Sequence, residues 1–136
     1  MSQENVEIVR DVLAAVAADG LDQALDLFDP EIVVDATRNV LNPGTYVGIE
    51  GLRQWQAELA DIWEEIRVEP LELIDADERV VVISQLIGRG KGSGIEVERL
   101  SSGQIATVRD GRILRWEIGY VDRDEVLEAA GIRERS

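Results

Sequence analysis

The chain reads as α+β, a curved antiparallel sheet with helices gathered over one face. Three observations carry that reading. Asp110-Gly111 lies between the apolar-alternating runs Ile105–Arg109 and Arg112–Tyr120; Asp-Gly supplies the positive φ that a type I′ hairpin turn needs at both central positions. Arg79–Ile87 is a strand-length run rich in β-branched residues. Glu50–Ile66 spaces Leu52, Trp55, Leu59, Ile62, Trp63 and Ile66 mostly three or four apart, which predicts a long helix with its apolar stripe on the sheet.

Around that frame the remaining elements fall in order. Ser2 can cap a first helix carrying Val6, Val9, Leu13 and Val16, with Ile8 and Val12 widening the stripe and Gly20 as its stop. Asp22 begins a shorter helix presenting Ala24, Leu25 and Phe28, halted by Asp29-Pro30. Glu31–Asp35 alternates as a strand, Ile32 and Val34 on one face, Val33 and Asp35 on the other. Ala36–Gly48, holding Asn42-Pro43-Gly44, reads as a loop or flap. Arg67–Ile74 is a strand whose Pro70 marks an edge or a bulge. Asp75–Glu78 turns into the central strand, and Gly88–Gly94 is a glycine-rich hairpin loop leading to a further strand from Ile95. That loop lacks a Ser or Thr directly after Lys91, and a strand follows it, so it is no phosphate loop. Asp122 with Glu125 forms a capping-box pattern before a short helix bearing Val126, Leu127 and Ala130, ended by Gly131.

The 136 residues suit a single domain spanning 1–136, with 45% hydrophobic and 31% charged residues. A net charge of −14 without a basic stripe argues against nucleic acid or an anionic membrane as partner. Cysteine and histidine are both absent, which removes thiolate chemistry, histidine-based triads and the commonest metal ligands. No carboxylate cluster has ligand spacing on one face, so neither a metal nor an organic cofactor is expected. The acidic, amphipathic N-terminus is unlike a signal peptide, and no apolar run approaches the ~20 residues of a membrane span. A cytoplasmic location is the expectation.

Several segments resemble SnoaL-like proteins of the nuclear transport factor 2-like superfamily. They are Ser2–Arg10, Leu27–Asp35, Tyr46–Gly51, Val108–Ile113 and Asp122–Gly131. The resemblance covers nearly the whole chain and implies a cone-shaped, cystatin-like fold. It also implies a small hydrophobic ligand in the cone and, as one option, a cofactor-free reaction of the cyclase or isomerase type. A non-catalytic ligand-binding or dimerisation domain is the alternative, because this fold hosts both.

Asp35 is the leading catalytic candidate. Superfamily isomerases carry their general-base Asp in about this part of the chain, and desolvation in an apolar cone would raise its pKa and make it a better base. The isomerase donors are missing, since the first helix offers Val12, Leu13 and Val16 where a Tyr would sit. The epoxide-hydrolase pattern of Arg and Asp two apart breaks at Arg99, which is followed by Ser101. Glu117 and Gln104 are the possible counterparts of the acidic group and polar neighbour of polyketide cyclases. Leu114, Trp116, Ile118 and Tyr120 alternate on one strand face, and Trp55 and Trp63 share the helix stripe, so these aromatics predict an aromatic-lined cavity. Tyr46 and Gln85 would add polar contacts. Ile113, Arg115, Glu117 and Gly119 take the other face of that strand, whose mixed signs suit a two-fold homodimer interface, as SnoaL-like proteins commonly form.

Overall fold

A computed structural model of the chain describes residues 2–17, 21–38, 43–90, 92 and 96–132; the side chains of 2, 16–17, 21, 62–63, 65–68, 86 and 96–102 lie outside that description. The elements are α1 (Ser2–Ala17), a 3-10 helix (Leu21–Leu27), β1 (Phe28–Asp35), β2 (Thr45–Val47), α2 (Gly48–Ile62), β3 (Trp63–Ala76), β4 (Arg79–Gly90), β5 (Glu96–Arg109), β6 (Arg112–Tyr120) and α3 (Arg123–Ala129). Six strands form one sheet in the order β2-β1-β6-β5-β4-β3. Every neighbouring pair is antiparallel except β1 with β6, which run parallel.

The two faces of the sheet differ in what covers them. On the inner face, Val6, Val9, Val12 and Leu13 of α1 and Leu52 and Trp55 of α2 pack on Ile32, Val34, Val80, Val82, Ala106 and Trp116. Burying each such side chain contributes about 1.5–3 kcal/mol, which holds in place helices that would be marginal alone. On the outer face, α3 brings Val126, Leu127 and Ala130 onto Val81, Ile105 and Tyr120. So short a helix needs its ends tied. Asp122 accepts the Glu125 N–H at 2.8 Å, and Arg79 donates to the Ala130 carbonyl at 2.6 Å.

Four expectations are corrected. The second helical segment is a 3-10 turn, and Phe28 with Asp29-Pro30 already belongs to β1, because Phe28 pairs with Ile113 of β6. The long helix stops at Ile62, so Trp63 and Ile66 lie on β3 opposite Gly90 and Gly88, where ladder pairing overrides the helical spacing. The run from Ile105 continues a single strand that starts at Glu96. Thr45–Val47, read as flap, pairs with β1. Gly20 lies outside the described residues, as does most of Gly88–Gly94 beyond β4. The Asp110-Gly111 turn has φ of 53° and 78°, and β3 is an edge strand whose register shifts between Pro70 and Glu72.

Candidate functional site

Strand register decides which candidates meet. Tyr46 pairs with Val34, Val34 with Trp116, Trp116 with Ala106 and Ala106 with Val80, so these five form one row across the inner face. Two residues along β5 and two along β4, the same face carries Gln104 and Val82, which pair; two residues further along β4 is Ser84. Gln104 and Ser84 are the buried polar residues among those described. The face thus passes from wholly apolar to polar along its length, as a site with an apolar body and a few placed polar groups requires.

Trp116 is the centre of this surface. Its ring stacks on Phe28 and meets Trp55 at a tilt, each at 6.0 Å between centroids. Its indole N–H donates to Gln104 Oε1 at 2.7 Å. An indole nitrogen only donates, so this bond fixes the carboxamide with its oxygen toward Trp116 and its N–H bonds left to donate. At the other end of the row, the buried Tyr46 donates its hydroxyl to Glu58 Oε1 of α2 at 3.0 Å. The clamp on Tyr46 is tight: a Cβ on Gly51 would stand 3.0 Å from the Tyr46 carbonyl carbon, so the helix can approach β2 there only through a glycine.

Asp35 departs from expectation in both place and charge state. It alternates to the outer face with Val33, in register with Glu117. Thr37 donates to its Oδ1 through the hydroxyl at 2.6 Å and the backbone N–H at 3.1 Å. Arg115 donates to Oδ2 at 2.8 Å, and Arg38 stands 3.8 Å away. The Thr37 hydroxyl bond leads in holding this carboxyl below its usual range; partial burial opposes it, and the Thr37 N–H, Arg115 and Arg38 pull the same way as the hydroxyl. The expected upward shift by desolvation is therefore overturned, because the side chain has donors on both oxygens.

Glu117 lies beside it, accepting from Arg115 Nε at 3.3 Å and from the Tyr120 hydroxyl at 2.9 Å. Tyr120 is here because of a bulge. Between the pairs Ile105–Glu117 and Gly103–Tyr120, β6 has one residue more than β5, and Gly119 takes φ of 94°. The extra residue turns Tyr120 from the face of Trp116 to that of Glu117. A second shift, between Thr107 and Val108, puts Ile113 on the inner face, where it is wholly buried, and not with Arg115 as alternation had it. Arg38 covers the Tyr120 ring at 4.4 Å. Burial first, then the bond to Glu117, pushes the Tyr120 hydroxyl up to about 12.

Of the candidates read from sequence, Tyr46, Trp55, Gln104 and Trp116 come together on the inner face. Asp35, Glu117 and Tyr120 gather on the outer face, and Gln85 also alternates there, next to Ser84 and in step with Val81 and Ile83. Trp63 and Arg99 have side chains outside the description. Sequence reasoning missed Glu58, Ser84 and the role of Arg115 with Arg38. Glu58 had one weak signal: a carboxylate three residues after Trp55, on the border of the apolar stripe. Among the described residues, no group of three or more Asp or Glu could hold a metal ion, and no helix is long and apolar enough to cross a membrane.

Comparisons with known proteins agree with this architecture. No curated protein matches the chain. A candidate SnoaL-like polyketide cyclase from Jannaschia sp. CCS1 superposes with a TM-score of 0.77 at 21% identity, over 98% of this chain and 95% of that one. TerC, co-crystallised with polyporic acid, gives 0.76 at 21% identity over 94% and 98%. An NTF2-like protein of unknown function from Burkholderia pseudomallei gives 0.76 at 21% over 92% and 95%. At such identities the likeness is one of fold. The model of the SnoaL-like domain matches residues 9–116, most of the chain, and the chain belongs to that family.

Proposed function

We propose that the chain binds a small, mainly apolar molecule between the α1/α2 layer and the inner face of the sheet, and acts on it without a cofactor by acid–base chemistry of the cyclase or isomerase type. One observation carries the reading: Gln104, a buried polar side chain on the inner face, is oriented by the Trp116 indole N–H, which occupies its carboxamide oxygen. A carboxamide held by its oxygen presents its N–H bonds as donors, and the arrangement suits a guest that brings a carbonyl or hydroxyl oxygen. The neighbours Trp55, Trp116 and Phe28 give such a guest flat apolar surfaces. Membership of the SnoaL-like family, and likeness to a candidate polyketide cyclase, point the same way.

The test uses 2-tetralone, a flat ketone, titrated against tryptophan fluorescence. Saturable quenching is expected, weakened about tenfold in Gln104→Met, the scale of one neutral hydrogen bond. Linear, non-saturating quenching that Gln104→Met leaves unchanged would contradict the reading. The outer face supports a companion proposal, pairing of two copies: Val33 and the exposed Val47 are in register beside Arg115, next to a network of both signs. Solution mass at low and moderate salt decides it, and a monomer at both refutes it.

A further inference from the structure

Gln104 sits at a break in the ladder. Between the pairs Gly103–Tyr120 and Ile105–Glu117 it is the single β5 residue opposite two residues of β6, Ile118 and Gly119. A bulge of this kind sharpens the local twist and re-aims the side chains beside it. Gln104 keeps to the inner face, paired with Val82, and its carboxamide oxygen accepts the Trp116 indole N–H at 2.7 Å. The two ends of a carboxamide are alike in size. They differ in that one accepts and the other donates.

We infer that Trp116 is a positioning residue that locks the hydrogen-bond polarity of Gln104, and that Gln104 thereby sets specificity. The face selects flat carbonyl compounds and rejects flat molecules that can only donate. The inference rests on the reading that a small, mainly apolar molecule binds at this face. Trp116 can act so because its buried ring is held from two sides. Phe28 stacks on it with 23° between planes and Trp55 leans on it at 55°, each at 6.0 Å between centroids. The three rings come from β1, α2 and β6, so tertiary packing, not one local segment, aims the indole N–H. An indole nitrogen never accepts. Turning the carboxamide over would break a buried hydrogen bond and set donor against donor.

The consequence is a site that discriminates by polarity and not by shape. Phe28, Trp55 and Trp116 offer the same apolar surfaces to any flat bicyclic guest. A ketone or quinone oxygen brings lone pairs to the Gln104 N–H bonds. A guest whose polar atom is an N–H meets those bonds as a second donor, and both lose water without gaining a partner. Selection then comes from the mismatch imposed on the wrong guest as much as from the bond made to the right one.

The experiment measures three bicyclic probes by equilibrium dialysis: 2-tetralone, which accepts; tetralin, which does neither; and indole, which only donates. Wild type should bind 2-tetralone about tenfold more tightly than tetralin, and indole no more tightly than tetralin. Trp116→Phe keeps an aromatic ring but removes the N–H, so the carboxamide is free to turn its oxygen to the guest. Indole should then gain about fivefold relative to tetralin, a gain that mere loss of packing would not produce, since it would weaken all three probes together. Gln104→Met should remove the lead of 2-tetralone and give indole no gain. Should wild type bind tetralin as tightly as 2-tetralone, or Trp116→Phe leave indole unchanged relative to tetralin, the inference is overturned while the binding reading stands. Should wild type bind none of the three, both fall together. A Trp116→Phe chain that does not fold passes the decision to the wild-type ranking, where indole bound more tightly than tetralin would overturn the inference.

Discussion

Asp35 offers the sharpest test of the division between the two faces. A base held in an unfavourable site is commonly relieved when it is neutralised, and such substitutions gain stability. The structure predicts the reverse for Asp35→Asn. The Thr37 hydroxyl and backbone N–H both donate to Oδ1, and bonds to a charged acceptor are worth about 1.5–3 kcal/mol. The side chain of Asp35 is 14% exposed, but Arg115 and Arg38 are 43% and 39% exposed, so water screens their pairing and it adds at most about 1 kcal/mol. Asn keeps an oxygen for Thr37 but loses the charge and turns an N–H bond toward Arg115. The net expectation is a loss of about 2 kcal/mol, a drop of about 1 M in the urea midpoint. The sign with pH follows from the lowered carboxyl of the folded state. That stabilisation is present above the unfolded value of about 3.9 and is lost as pH falls through the lower folded value. Urea titrations should therefore show the gap between wild type and Asp35→Asn intact at pH 7 and pH 5, and closing as acid takes the pH below the ordinary carboxylate value of about 3.9. A variant as stable as wild type at pH 7, or a gap indifferent to acid, refutes the account.

Two further outcomes are expected. A Cβ on Gly103 would stand 2.7 Å from Val126 Cβ and 3.1 Å from Tyr120 Cβ, so Gly103→Ala should cost about 1–3 kcal/mol in urea unfolding and expose the amides of α3 to hydrogen exchange; unchanged protection refutes the docking of α3. Tyr120 should ionise near pH 12 by ultraviolet absorbance, a step missing in Tyr120→Phe; because its folded value is raised, its contribution is present below about pH 10 and lost as pH rises through 12, so an ordinary phenol titration contradicts its burial against Glu117.

Most of the fold was legible because its signals are local. The Asp110-Gly111 turn, the Asp122 cap and the alternation of Val80, Val81 and Val82 between the two faces follow from backbone geometry written in adjacent residues. The long helix lost its end because Trp63 and Ile66 continue a helical spacing while their backbone pairs with Gly90 and Gly88 in the ladder, and that pairing is non-local. The site was legible only as far as strand parity holds. Tyr46, Trp55, Gln104 and Trp116 follow from intact register. Tyr120 and Ile113 exchanged faces across two bulges, of which only Gly119 left a trace, an isolated glycine inside a strand pattern. Asp35 was put on the correct side of its strand but the wrong side of the sheet, since no local feature says which face receives α1 and α2. Glu58 escaped because a carboxylate at the border of an amphipathic stripe looks the same in sequence whether it meets a tyrosine or water.

The central claim is that the inner face, and not the charged outer face, takes the ligand. Nitrogen-15 NMR of the tryptophan indole and arginine Nε groups during a 2-tetralone titration reads both faces in one sample. The account predicts saturable shifts of the Trp116 indole N–H, which weaken together in Gln104→Met, while the Arg115 and Arg38 signals stay fixed. Saturable shifts of Arg115 and Arg38 with an unmoved Trp116 indole would contradict it.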